Sequence, residues 1–291
     1  MTLPLLTDHF ATLAPNYDAV LSDVWGVIHN GVLSFPAACD ALARFREKGG
    51  SVVLISNAPR PGGQVTRLLD HLQVPHSAYD SIVTSGDVTR AFVARRAGEP
   101  VFHIGPERDL TIFTGLDAPF GPLETAHYVI CSGLCDDEIE TPDDYRELVT
   151  KIRERNLFMV CANPDVVLER GDRLVYCAGA IADLYAELGG EVFYAGKPHR
   201  PLYDLALAET AKMRKARTLG DVPLERVLAI GDSVRTDLKG AHNLGVDCLF
   251  VTAGIHAEEL GQRDDPDPDA LATMFATAGE MPKAVTRKLV W

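Results

Sequence analysis

Short runs of consecutive apolar residues alternate along most of the chain with segments whose apolar positions recur every three or four residues. Ala19-Val-Leu21, Ser51-Val-Val-Leu-Ile-Ser56 and Val227-Leu-Ala-Ile230 are runs of the first kind. Strand-length apolar runs without polar alternation suit strands buried on both faces, as in a parallel sheet. Between the first two, Ala38, Leu42 and Phe45 fall on one helical face, which Phe35-Pro36 opens and Gly49-Gly50 stops. Proline suits the first helical turn and glycine the residue past the last. Strand, helix, strand of this size is a βαβ unit. The predicted class is therefore α/β, with parallel strands and helices on both faces.

The same pattern extends through the chain. It predicts strands over 81–84, 100–105, 126–131, 157–161 and 246–251, and helices over 64–73, 88–96, 177–188, 201–211 and 236–243. Thr141-Pro-Asp-Asp144 carries helix-start chemistry, with proline and acids in the first turn, for a helix running to Arg155. Leu3, Leu5, Leu6, Phe10 and Leu13 predict a short amphipathic lead-in helix within 1–16. The acidic, proline-containing stretch 262–269 reads as a loop, followed by a helix from Ala270 and a less regular end. Residues 85 to about 192 repeat the α/β pattern at a length sufficient for a second domain.

Composition narrows the function classes. With 291 residues, 46% of them hydrophobic, the chain can bury a large core in one domain or two. Its net charge of −13 argues against a nucleic-acid partner or an anionic membrane surface. No apolar run approaches the roughly 18 residues of a membrane span, and the N-terminus lacks a signal-peptide pattern, so a soluble, cytoplasmic chain is expected. The six cysteines lie in apolar segments without a paired metal-ligand spacing, which points to reduced core thiols.

Chemistry concentrates at strand ends and helix starts. Asp23 stands where the first strand turns at Gly26, Ser56-Asn57 closes the second, Lys197 follows Gly196, and Asp232 with Asp237 follows Gly231. In open parallel sheets, ligands bind beyond the carboxyl ends of the strands. A carboxylate able to act as nucleophile, a small hydroxyl, a lysine and a carboxylate pair form a toolkit for phosphoryl transfer. Mg²⁺ takes oxygen ligands and would suit the carboxylates. Read singly, Asp23 would serve as a turn residue, Asp232 and Asp237 as caps of the helix near Thr236, and Lys197 as a solvated surface lysine. There is no Gly-x-Gly-x-x-Gly after a strand, no Walker motif (Gly196-Lys197 is followed by proline) and no Gly-x-Ser-x-Gly elbow.

The ordered set Asp23-Val-Trp-Gly-Val27, Ile55-Ser-Asn57, Gly196-Lys-Pro198 and Gly231-Asp-Ser-Val-Arg-Thr-Asp237 resembles the haloacid dehalogenase superfamily, and within it the class IIA hydrolases. The resemblance covers nearly the whole chain. It implies a Rossmann-like parallel-sheet core from 1–84 and 193–291, and an inserted α/β class C2 cap over 85–192, with the active site at their junction. It also implies a Mg²⁺-dependent phosphatase of a small phosphorylated metabolite, working through an aspartyl-phosphate on Asp23. Asp23 would also bind the metal, together with Asp232 and the backbone carbonyl of Trp25, and Asp237 would be a ligand or stand behind one. Ser56 and the Asn57 backbone would hold the phosphate, and Lys197 would pair with Asp23 and the phosphate. Asn163 and Asp165, in the turn after the third predicted cap strand, and Asp183 are candidate cap contacts to substrate. Caps of this class often take part in oligomer contacts, which is compatible with a homodimer.

One position departs from the family's pattern. Two residues after the nucleophile, the phosphatases usually carry an aspartate as general acid and base; here Trp25 stands there. An indole donates a hydrogen bond but cannot shuttle a proton near neutral pH. His29, in the loop that follows, is the nearest substitute in sequence, against the plainer reading of a solvent-exposed loop histidine. The alternatives to a phosphatase are another reaction of the superfamily, such as dehalogenation, and a non-catalytic module that binds Mg²⁺ and a phosphometabolite.

Overall fold

The computed structural model describes residues 4–170, 173–262 and 265–291. The chain clusters into two compact units, one of Met1–Ser56, Thr66–Val83 and Tyr203–Trp291, the other of Asn57–Val65 and Thr84–Leu202.

The first unit is built on a seven-stranded sheet. Its order is Leu5–Leu6, Ala284–Thr286, Asp247–Val251, Val227–Gly231, Ala19–Asp23, Ser51–Ser56, Ser81–Thr84. The pairings from Leu5–Leu6 through Ser51–Ser56 are parallel. From Ala19–Asp23 the chain walks outward on one side, to Ser51–Ser56 and then Ser81–Thr84. It resumes at Val227–Gly231 and walks outward on the other side. The two directions diverge between Ala19–Asp23 and Val227–Gly231, and such a switch point opens a crevice at the carboxyl ends of its strands. Those two strands and Ser51–Ser56 are buried along their whole length, which is why they read as continuous apolar runs. On one face Phe250 meets Phe275 edge-on at 5.3 Å, among Leu238, Leu260, Leu271 and Val285.

The second unit carries its own parallel sheet, ordered Val192–Tyr194, Met159–Cys161, Tyr128–Cys131, Val101–Ile104. Helices Arg146–Glu154 and Ala178–Glu187 cover it with Val149, Ile152, Ile181, Leu184 and Tyr185. The predicted helix start at Thr141 is a capping box with Asp144, opening a single 3₁₀ turn before the α-helix. All six cysteines are unpaired and five are buried. Among the described residues, no helix is long and apolar enough to cross a membrane.

Several expectations are corrected. The lead-in helix is absent from the described part of 1–16, and Leu3 lies outside the described residues. Leu5–Leu6 is instead an edge strand paired with Ala284–Val285, followed by 3₁₀ turns at Phe10–Thr12 and Ala14–Asn16. The apolar residues there do not share a face: Phe10 packs on Phe45 and Trp291, while Leu5 and Leu6 stay exposed. The irregular end contains the buried strand Ala284–Thr286, whose three residues lie between basic neighbours and give too short a pattern. In the stretch read as a loop, Gly261–Gln262 pairs antiparallel with Asp265–Pro266, and residues 263–264 lie outside the described set. The next helix starts at Pro268 because Asp267 caps it. The hairpin Val167–Arg170 with Arg173–Tyr176 and the strand Val192–Tyr194 had no predicted counterpart.

These assignments separate two substitutions. Phe275→Ala should cost about 3–5 kcal/mol by opening a core cavity, whereas Leu5→Ala, at a side chain left 58% exposed, should change stability by less than ~0.5 kcal/mol. Urea unfolding of both variants checks this, and equal effects would contradict the edge-strand placement of Leu5.

Candidate active site

Parallel register brings three of the expected residues to the same end of the first sheet. Asp23, last in its strand, is level with Ile55, one residue before Ser56. On the other side Ile230 is level with Ser22, so Gly231-Asp232 leaves its strand beside Asp23. Helical residues follow from Val234, and Ser233 rather than either aspartate caps them, accepting from Thr236 N–H at 3.3 Å.

Asp23, Asp232 and Asp237 are all buried, and each offers a carboxylate oxygen within 4.8 Å of the others. Backbone donors hold each one. Val24 N–H donates to Asp23 Oδ1 at 2.7 Å, and Ile255 N–H to Asp232 Oδ2 at 2.8 Å. Asp237 Oδ2 accepts from Asp232 N–H at 3.3 Å and Ser233 N–H at 3.2 Å. Asp237 thus reaches back from its helical turn and closes the loop that carries Asp232. Two glycines leave room for Asp232: a Cβ on Gly26 or on Gly254 would lie 1.9 Å from its Oδ2. Gly26 also has φ +80°, a backbone that L side chains rarely adopt.

Three buried carboxylates at this spacing, with oxygen donors only, fit a hard divalent cation such as Mg²⁺. Asp23, Asp232 and Asp237 are the residues that could hold one.

The loop after Asp23 is tied by its own backbone. Gly26 N–H donates to His29 C=O, and Ile28 and His29 N–H both donate to Val24 C=O. The Trp25 indole meets the His29 ring edge-on at 5.0 Å. His29 is buried rather than a solvent-exposed loop residue. Gly31 N–H donates to its Nδ1 at 2.9 Å, which fixes the neutral tautomer with its proton on Nε2. Burial holds its pKa down at about 4. A neutral ring held in this way supports the loop and has no imidazolium proton to give at neutral pH, which argues against its service as a general acid.

The remaining expected residues belong to the second unit. Lys197 is buried, only 2% exposed, and not a solvated surface lysine. Asn57 Oδ1 accepts from Lys197 N–H at 2.7 Å, and Asn57 Nδ2 donates to Lys197 C=O at 3.2 Å and to Asp165 Oδ1 at 2.9 Å. Asn163 Oδ1 accepts from Asp165 N–H at 3.1 Å. Asp183 accepts from the Tyr194 hydroxyl at 3.0 Å, and the Tyr194 ring stacks on His199 at 4.6 Å. Reasoning from sequence missed the Asn57 side chain, having assigned that residue only a backbone role. It also missed the turn at Gly254-Ile255 that holds Asp232. The latter had a legible signal, a glycine just past a buried strand; the former had none, since its partners are more than a hundred residues away.

Two family models match, one for haloacid dehalogenase-like hydrolases over residues 20–118 and one described as HAD-hydrolase-like over residues 194–278. A crystal structure of a hydrolase of the haloacid dehalogenase-like family from Brucella suis 1330 is 45% identical. It covers 98% of this chain and 100% of that one, with a TM-score of 0.85. The ribonucleotide monophosphatase NagD of Escherichia coli K12 is 24% identical over 243 residues, 81% of this chain and 88% of that protein. A glycerol phosphate phosphatase from Mycobacterium tuberculosis, in complex with magnesium, is 23% identical and shares the fold with a TM-score of 0.63, over 86% of this chain and 70% of that one. One further curated relative matches over 61 residues, where the chain spans about a tenth of its length.

The glycine cradle gives a direct test of the carboxylate cluster. Gly254→Ala should weaken Mg²⁺ or Mn²⁺ binding at least ~10-fold by titration calorimetry, because Asp232 must move by an ångström or more to admit the methyl group. Gly220→Ala, where a Cβ meets nothing within 4 Å, should leave binding unchanged. Equal affinities in the two variants would contradict the assigned cluster.

Proposed function

We propose that this chain, which belongs to the haloacid dehalogenase-like hydrolase family, is a Mg²⁺-dependent phosphatase of a small phosphorylated metabolite. The observation that carries the reading is the buried trio Asp23, Asp232 and Asp237 at the carboxyl ends of adjacent central strands. The phosphatase names of two relatives and the magnesium bound to one of them support it.

In this reading an Asp23 carboxylate oxygen attacks phosphorus, the bond to the leaving-group oxygen breaks, and an aspartyl-phosphate forms. Water then attacks phosphorus, releasing inorganic phosphate and restoring the carboxylate. Asp232 and Asp237, with Asp23 and the Trp25 carbonyl, would hold the cation, which when bound offsets negative charge on the phosphoryl oxygens. The Ser56 hydroxyl and Asn57 N–H would position those oxygens, and Lys197 would add positive charge. Residues 1–84 and 193–291 would form the catalytic core, with 85–192 as the specificity-setting cap.

Trp25 sets the rate. With no carboxyl at that position, the leaving group must depart unprotonated and the attacking water must lose its proton without an aspartate. General acid–base assistance is worth about 10²–10⁴-fold. Leaving groups stable as anions should therefore react far faster than alkyl ones.

The test is phosphate release from p-nitrophenyl phosphate and a panel of sugar, nucleotide and cofactor phosphates, with Mg²⁺. Wild type should turn over the aryl ester, and Asp23→Asn should abolish that turnover. Trp25→Asp should raise alkyl-phosphate rates by about 10²-fold or more. Activity surviving in Asp23→Asn would remove the nucleophile assignment. Silence of wild type, with Mg²⁺-dependent binding of one phosphometabolite, would replace the phosphatase by a binding module.

A further inference from the structure

Resting on the phosphatase reading, we propose that Asp165 is a positioning residue for Lys197, acting through the side-chain amide of Asn57. All three residues lie in the second unit. Asn57 engages both polar groups of the Lys197 backbone, its Oδ1 accepting the N–H at 2.7 Å and its Nδ2 donating to the carbonyl at 3.2 Å. That arrangement requires one orientation of the amide. Reversed, it would set an NH₂ group against the Lys197 N–H and an oxygen against the Lys197 carbonyl.

Asp165 decides the orientation. An ionised carboxylate only accepts hydrogen bonds, so it can face only the NH₂ side of Asn57, as it does at 2.9 Å. A bond to a charged acceptor is roughly twice as strong as a neutral one, and it therefore outweighs the alternative rotamer. Asp165 is itself fixed at both ends of its peptide unit. Its N–H donates to Asn163 Oδ1 at 3.1 Å, and its carbonyl accepts from Gly179 N–H at 3.0 Å. Gly196 completes the fit, because a Cβ there would stand 2.3 Å from Asn57 Oδ1. The Asn163-Pro164-Asp165 turn thus acts on residue 197 through the backbone, a different task from the substrate contact expected of it from sequence.

The experiment is a double-mutant cycle on p-nitrophenyl phosphate hydrolysis, reading kcat and KM separately. Asp165→Ala should lower kcat by about 10–100-fold, the scale of an ångström misplacement, with KM changing less than about 3-fold. Asp165→Asn, which keeps an acceptor oxygen at the same reach, should recover most of the loss. In a Lys197→Ala background, Asp165→Ala should cost less than about 2-fold, because interacting residues are non-additive. If Asp165→Ala does not fold, Asp165→Ser, which keeps a hydroxyl but shortens the reach, takes its place. Additive losses, or an effect confined to KM, would overturn the proposal, the latter in favour of substrate contact. If wild type releases no phosphate at all, the phosphatase reading fails on its own account. Crystal structures of wild type and Asp165→Ala then decide the positioning role. A reversed Asn57 amide with a displaced Lys197 backbone supports it, and unchanged geometry overturns it.

Discussion

Three carboxylates confined within 4.8 Å of one another below the surface are the constraint around which the first unit is built. Two unit charges at such a separation repel by about 3–4 kcal/mol at an effective dielectric near 20. Nothing in the local chain would choose this arrangement. It is imposed by the register of two neighbouring parallel strands, which delivers Asp23 and the residue before Asp232 to the same level. Backbone donors at Val24, Asp232, Ser233 and Ile255 offset part of the repulsion. A bound cation would offset much of the rest.

The loop that follows Asp23 shows how scaffold and chemistry can part. Its shape comes from main-chain hydrogen bonds among residues 24–29 and from the buried ring of His29, whose Nδ1 is held by Gly31. None of these depends on a carboxyl at position 25. A tryptophan can therefore stand there, packed on His29, while the main-chain hydrogen bonds of the turn are kept. What position 25 lacks is a side chain able to carry a proton near neutral pH, since an indole only donates a hydrogen bond.

In the second unit the organising element is an amide rather than a charge cluster. Asn57 is hydrogen-bonded through its side chain to Lys197, 140 positions later, and to Asp165 between them. A buried amide of this kind is costly unless all its groups are paired. The bonds to Lys197 and Asp165 account for Oδ1 and for both donors of Nδ2, so the geometry at Lys197 is specified by hydrogen bonding and not by packing alone.

Much of the fold was legible because buried parallel strands and amphipathic helices write strong, local patterns. Ser51–Ser56 and Ser81–Thr84 fall where the apolar runs place them. The short elements were not legible. Leu5–Leu6 and Ala284–Thr286 are too brief to show a period, and each is a strand only through its pairing, Leu5–Leu6 with Ala284–Val285 and Ala284–Thr286 also with Leu249–Val251. At the site, the sequence alone determined which chemistry-bearing residues stand at strand ends, since a carboxylate or hydroxyl after an apolar run is a local feature. Tertiary structure decided the rest: that Asp23, Asp232 and Asp237 converge, that His29 is buried and neutral, and that Asp165 turns toward Asn57. Each depends on atoms brought together from distant parts of the chain, and pairwise distance in space is not encoded by spacing along it.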